Sequence, residues 1–210
     1  MSENKVYVLG VGPGTGDYLL PITREIAADC DVLIGGRRAL SLFPSRGREL
    51  IEIDSDLKGI ISFISKHRDQ QRIAVLASGD PGLYGILKVL LEEFSPEDLQ
   101  VFPGISSMQL AFARARLPWH DAEMRSLHAR RDDDLCQVVK ESEVVGIFTD
   151  EINTPHKVVS RLLEEGIDDC RVFVGSRLAY PEERTYQGSL QGLLQEEEFE
   201  MAVMVIYSEN

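Results

Sequence analysis

Positive charge, cysteine and long apolar runs are what this sequence has little of. Its 210 residues carry 22 Lys and Arg against 35 Asp and Glu, a formal net charge of −13. A general nucleic-acid binder needs a basic footprint, so this balance argues against that class. No apolar run approaches the ~20 residues that cross a bilayer, so no membrane span is expected. Residues 1–5 run straight into a predicted strand, with no signal-peptide pattern. The three cysteines, Cys30, Cys136 and Cys170, are odd in number and far apart. That excludes a disulfide framework or a zinc site and fits reduced thiols in the cytoplasm. No His/Cys/Asp cluster has metal-ligand spacing, so no metal is expected. Gly-Lys-Ser/Thr does not occur, which excludes a P-loop.

What is present suits a folded enzyme-sized chain. Hydrophobic residues make up 43% and charged residues 27%, enough to bury a core in one large domain or two small ones. The charge is uneven: residues 1–120 hold 13 basic and 15 acidic residues, and residues 121–210 hold 9 and 20. Four arginines, Arg37, Arg38, Arg46 and Arg48, fall within twelve residues of the less acidic part.

Short apolar runs alternate with helical spacing along the chain. Strands are predicted at 5–11, 31–34, 50–53, 72–77, 99–102, 144–149, 171–175 and 201–207, with 124–127 restarting the pattern after a break. Helices are predicted at 21–28, 37–43, 57–67, 83–94, 106–115, 132–140, 155–166 and 190–195. This α/β alternation implies mostly parallel sheets flanked by helices. The stretch 117–122 (LPWHDA) breaks the rhythm where acidity rises, so a domain boundary is placed at 118/119, giving domains 1–118 and 119–210.

The centre of the pattern is 76–83 (LASGDPGL). Here an apolar strand runs into a Gly-Asp-Pro-Gly turn, and bare backbone results at the carboxyl end of a sheet. In open α/β sheets that edge is where ligands bind. Two more turns share the design, 10–17 (GVGPGTGD) and 102–107 (FPGISS). The first is not a dinucleotide fingerprint. Thr15 or Asp17 stands where its last glycine belongs, and Pro13 removes a donor that a pyrophosphate needs. The next strand ends in Gly35-Gly36 with no acid for a ribose. Neither Ser106 nor Ser107 lies in G-x-S-x-G, so an N-cap role is expected before a nucleophile's.

Together, GVGPGTGDYLL, LASGDPGLYG and FPGISSMQLAF resemble the three N-terminal motifs of the tetrapyrrole (corrin/porphyrin) methylases. The resemblance runs from Val6 to Tyr207. It implies a two-domain α/β enzyme that uses S-adenosylmethionine (SAM), releases S-adenosylhomocysteine and holds the cofactor in the cleft between its domains. Gly35-Gly36-Arg37-Arg38, Leu117-Pro118-Trp119-His120-Asp121 and Ser126-Leu127-His128 resemble the branch that methylates C5 of precorrin-7 or cobalt-precorrin-7 in cobalamin synthesis. The absence of a second, decarboxylating domain within these 210 residues resembles the stand-alone form of that branch. Two departures stand out. Ala129 replaces a glycine after His128, and Ser176-Arg177-Leu178 replaces Glu-Asn-Leu.

By this resemblance SAM would meet Pro13, Ser78, Gly79, Asp80, Leu83, Ser106 and Ser107, with Thr149, Leu178 and Ala179 closing over it. For Asp80, an Asx-turn role is the alternative. The substrate would be a polycarboxylate tetrapyrrole. Arg37, Arg38, Arg130 and Arg131 are its candidate ligands, because arginine grips carboxylates bidentately. His128 is the candidate for substrate hydrogen bonding or proton loss. A homodimer is implied as well. Rival readings are another precorrin methylase, a diphthine synthase, a ribosomal RNA 2′-O-methyltransferase, a non-catalytic SAM-binding module and a nicotinamide oxidoreductase. The acidic balance disfavours the RNA reading.

Overall fold

The computed structural model describes residues 5–45, 47–53, 56–127 and 132–208. The chain divides into two units, Met1–Ser106 and Ser107–Asn210. The sequence places this division twelve residues later. The reason lies in the helix Ser107–Ala115, whose buried residues Met108, Leu110, Ala111, Phe112 and Ala115 pack on the sheet of the second unit.

In the first unit, strands β1 (Val6–Gly10), β2 (Val32–Gly35), β3 (Glu49–Glu52), β4 (Ile73–Ala77) and β5 (Leu99–Phe102) form a sheet in the order β3-β2-β4-β1-β5. Every pairing in it is parallel. Parallel strands covered on both faces read as continuous apolar runs, as IAVLA in β4 does with all five residues buried. One face (Leu9, Leu33, Ala74, Leu76) packs with Leu19, Ala27, Ala39 and Leu40, from and around α1 (Pro21–Ala28) and α2 (Arg37–Leu40). The other face (Val6, Val8, Val32, Ile34, Val75) packs under Ile60 and Ile64 of α3 (Leu57–His67) and Leu90 of α4 (Leu87–Glu93). The helix after β1 and the helix after β4 thus lie on opposite faces. Adjacent strands whose connections diverge in this way open a crevice at their carboxyl ends.

In the second unit, α5 (Ser107–Ala115) precedes β6 (Glu123–Ser126), α6 (Leu135–Glu141), β7 (Val144–Phe148), α7 (Pro155–Glu164), β8 (Cys170–Ser176), β9 (Arg184–Ser189), α8 (Leu190–Leu193) and β10 (Ala202–Ser208). The sheet order is β6-β7-β10-β8-β9. The expectation of a mostly parallel sheet is corrected here. Among the described residues only β6 and β7 pair in parallel there, and the three other pairings are antiparallel. A parallel crossover needs a dozen or more residues, and residues 177–183 are too few to carry β9 back beside β8. Helix α5 covers one face; Met108 Sδ lies 2.8 Å and Phe112 Cε2 3.2 Å from where a Cβ at Gly146 would be. On the other face α6, α7 and α8 close over Val145, Ile147, Val172, Val174, Met204 and Ile206. Helix α7 starts as its sequence dictates. Thr154 accepts from the Lys157 N–H, Pro155 fills the first turn, and Gly166 takes a left-handed φ of 73° just beyond the end.

Among the described residues no helix is long and apolar enough to cross a membrane.

Candidate functional site

The in-register parallel pairing brings four loops to one edge of the first sheet. Gly10 sits beside Ala77, Gly35 beside Leu76, and Leu9 beside Phe102. The turns after β1, β4 and β5, and the Gly36-Arg37-Arg38 segment after β2, therefore all leave from the same side.

Three of these turns interlock through main chain. The Gly79 N–H donates to the Gly12 carbonyl at 2.7 Å, and the Gly12 N–H returns a bond to Gly79 at 3.3 Å. This bridge lies where β1 and β4 diverge. A Cβ at Gly104 would fall 2.2 Å from the Gly79 carbonyl oxygen and 2.8 Å from Gly10 Cα. Gly79 itself has a φ of 67°, a left-handed conformation that glycine adopts at no steric cost. Asp80 joins the second turn to the third. Its Oδ1 accepts from the Gly82 N–H at 2.8 Å, and its Oδ2 accepts from the Gly104 N–H at 3.1 Å. The Asx-turn alternative is therefore realised, and the same carboxylate reaches a second loop. Beneath the first turn, the fully buried Thr23 donates its hydroxyl hydrogen to the Gly10 carbonyl at 3.3 Å.

Around this backbone frame Ser78 is exposed, Pro13 and Leu83 are half-buried and Ser106 is buried. Leu83 lies ahead of α4, which starts at Leu87 and not at 83 as the spacing predicts. Tyr84 has a φ of 54°, and a Cβ at Gly85 would meet the Pro81 carbonyl at 2.5 Å, so the turn continues four residues further. Thr15 Oγ1 is buried with no hydrogen-bond partner among the described residues. Sequence reading passes over Thr15, Gly104 and Thr23. The first two carry a signal, since they lie inside the motifs; Thr23 carries none.

In the second unit β7 and β8 both end where β10 begins. Thr149 donates its hydroxyl hydrogen to the Ala202 carbonyl at 2.6 Å. Ser176, Arg177, Leu178 and Ala179 follow at the same edge. Leu178 is buried, folded back to within 2.8 Å of where a Cβ at Gly175 would be.

These turns, with this order of elements, match the family model of the Tetrapyrrole (Corrin/Porphyrin) Methylases over residues 5–194. The chain belongs to this family. A cobalt-precorrin-7 C(5)-methyltransferase of Salmonella typhimurium is 31% identical over 205 residues, 96% of this chain and 98% of that one. The precorrin-6Y methylase structure from Archaeoglobus fulgidus superposes with a TM-score of 0.75 at 23% identity, covering 99% of this chain and 100% of that one. The uroporphyrin-III C-methyl transferase of Thermus thermophilus complexed with S-adenyl homocysteine superposes with a TM-score of 0.76 at 21% identity, with 97% of each chain covered. Both structures share the fold.

In this tetrapyrrole methylase the remaining candidates are placed as follows. Arg37 and Arg38 are exposed at the carboxyl edge of the first sheet, and Arg37 pairs with Glu52 at 3.3 Å. Ser107 opens α5 in the second unit. His120 is exposed and pairs with Asp121 at 2.7 Å, and Trp119 is half exposed. His128, Arg130 and Arg131 lie outside the described residues, as does Arg46. Among the described residues no group of three or more His, Cys, Asp or Glu is arranged to hold a metal. Burial pushes the Cys30 thiol up to about 11, so it is protonated at neutral pH and poorly nucleophilic.

Proposed function

We propose that this chain methylates C5 of precorrin-7 or cobalt-precorrin-7 in corrin-ring synthesis, acting in the cytoplasm as a homodimer. The observation that carries the reading is the likeness to the Salmonella cobalt-precorrin-7 C(5)-methyltransferase over nearly the whole length of both chains.

The residues at the first sheet's edge suit SAM. An adenosyl group with an amino-acid tail needs main-chain donors and acceptors, hydroxyls and one carboxylate. Thr15 Oγ1 is a buried hydroxyl lacking a partner among the described residues, and the Ser78 hydroxyl is exposed. Each Asp80 oxygen, with one N–H bond made, keeps a lone pair for an ammonium or ribose hydroxyl. Among the described residues, chain neighbours aside, only Ser106 stands within 4 Å of where a Cβ at Gly79 would be, so main chain is open to close approach. Pro13, Leu83 and Ser106 complete the proposed set of the first unit, and Ser107, Thr149, Leu178 and Ala179 are the proposed set of the second. When bound, SAM supplies a methyl group on a sulfonium, an electrophile open to in-line attack by an electron-rich ring carbon. The protein's own share is alignment of the two reactants. Arg37, Arg38, Arg130 and Arg131 are proposed to receive the carboxylates, and His128 to hydrogen-bond the macrocycle or take up its proton.

The reading is tested by incubating the protein with SAM and purified precorrin-7 and cobalt-precorrin-7, then locating the new methyl by mass spectrometry and NMR. A methyl at C5 is expected. A methyl at another carbon, or folded protein that binds no S-adenosylhomocysteine in a calorimeter, overturns it.

The arginines give a separate expectation. The Arg37 side chain is 85% exposed, so solvent screens its contacts. Arg37→Ala with Arg38→Ala is expected to weaken macrocycle binding by about three- to tenfold, less so in high salt, with little change for S-adenosylhomocysteine. Parallel titrations of both ligands check this. Equal weakening of the two would mean that the segment shapes the cofactor site instead.

A further inference from the structure

Three residues with side chains hold left-handed backbone at one edge of the second sheet: Arg177 (φ 49°), Ala179 (φ 72°) and Met201 (φ 46°). A Cβ disfavours that conformation, so the surrounding contacts must hold it in place. For Arg177 they are direct. Its N–H donates to the Met201 carbonyl at 3.3 Å, and its Nη2 donates to Glu200 Oε2 at 2.7 Å. Ala179 depends on a residue four positions on: its N–H donates to Glu183 Oε2 at 2.8 Å. Glu183 is gripped in turn by Arg114 of α5, Nε to Oε1 at 2.7 Å and Nη2 to Oε2 at 3.3 Å. The guanidinium holds the Glu183 carboxyl below the usual carboxylate range, with the Ala179 N–H helping, so the carboxylate is ionised and a strong acceptor at neutral pH. The Tyr180 N–H donates to the Arg177 carbonyl at 2.9 Å and closes the turn.

The Leu178 side chain is taken up against its own strand at Gly175. What residues 178 and 179 can offer a ligand is therefore main chain, and its direction follows from the dihedral angles at 177 and 179.

We propose that Glu183 is a positioning residue for the nucleoside ligand: clamped by Arg114, it fixes Ala179 in the left-handed conformation and so aims the main chain of residues 178–179. The inference rests on the reading that SAM is the ligand and that Leu178 and Ala179 meet it. Sequence reading does not find this pair, because the two residues are sixty-nine positions apart.

Three measurements on the full chain test it: hydrogen exchange at the Ala179 amide, calorimetric affinity for S-adenosylhomocysteine, and the split between KM for SAM and kcat. Glu183→Ala is expected to speed Ala179 exchange, weaken S-adenosylhomocysteine by about tenfold and raise KM more than it lowers kcat, since one charge-assisted bond is lost. Glu183→Gln, which keeps an acceptor for the Ala179 N–H, is expected to recover most of the affinity. Arg114→Ala removes the clamp and leaves the acceptor, and it carries the test if Glu183→Ala does not fold. Its expected effect has the same sign and is smaller. Faster Ala179 exchange with unchanged affinity overturns the positioning role, as does unchanged exchange. Wild-type protein that binds no S-adenosylhomocysteine overturns the SAM reading and this inference with it, whereas wild-type binding with indifferent variants overturns this inference alone.

Discussion

Gly104→Ala is expected to abolish S-adenosylhomocysteine binding and to lower the melting temperature. The three atoms nearest to a Cβ there are main chain: the Gly79 carbonyl oxygen at 2.2 Å, and Gly10 C and Cα at 2.8 Å. Side chains can rotate away from an added methyl. These atoms belong to turns tied to β1 and β4, so the turns themselves must part. Overpacking of this kind costs about 1–3 kcal/mol, occasionally more. For a unit of this size each kcal/mol lowers Tm by about 4–8 °C. The effect on binding is expected to be larger, at least about a hundredfold, because displacement by an ångström of the groups that orient a ligand is itself costly. Gly36→Ala is the control. Among the described residues, chain neighbours aside, nothing lies within 4 Å of its added Cβ, and its φ of −65° suits any residue. A calorimetric titration and a thermal melt on both variants check the expectation. Wild-type binding by folded Gly104→Ala would mean that the interlock of the turns is incidental.

Asp80→Ala is expected to have the next largest effect. Its carboxylate accepts two main-chain N–H groups, one from its own turn and one from the next. The two losses differ. Gly82 is exposed, so water replaces the carboxylate there at little cost. Gly104 is buried, and an N–H left without a partner there costs about 1–3 kcal/mol. The variant should melt lower than wild type and bind S-adenosylhomocysteine about ten- to a hundredfold more weakly, because one loop is unpinned and an acceptor is lost. Asp80→Asn keeps one acceptor oxygen but turns an NH2 toward the other N–H, so it should fall between the two. Hydrogen exchange at the Gly104 amide separates the unpinning from the lost ligand contact. If Asp80→Ala keeps both its melting temperature and its affinity, the clip contributes nothing.

Much of the first unit is legible in the sequence because its three inner strands, β1, β2 and β4, are buried apolar runs that each end at a glycine-bearing turn. Strand β4 is the clearest case: IAVLA is buried throughout, and SGDPG stops it. The three turns could be read for the same reason. What the sequence does not show is which atoms face each turn. Gly104 is plain as a glycine in FPG, but its tightness against Gly79 and Gly10 is a product of sheet register. Strand β9 (RTYQGS) has no apolar run and lies at a sheet edge, so periodicity passes over it. Missing it also hid the antiparallel character of the second sheet. The start of α4 was misplaced because a left-handed Tyr84 is not a property of tyrosine but of the turn around it. Helix α5 packs on the second sheet, which its apolar face alone does not announce.

The sheet orders have a consequence for how the chain comes off the ribosome. All five strands of the first sheet lie within the first 102 residues, so that sheet can close while the second half is still being synthesised. The second cannot. Its middle strand, β10, is the last to emerge, and β7 and β8 have no bond to each other without it. Until residues 202–208 arrive, β6–β7 and β8–β9 are two separate pairs with apolar faces and open inner edges. Two-stranded pairs are marginal on their own, and open edges invite wrong partners. The nascent second unit is therefore the stretch of this chain most exposed to aggregation and most in need of a chaperone.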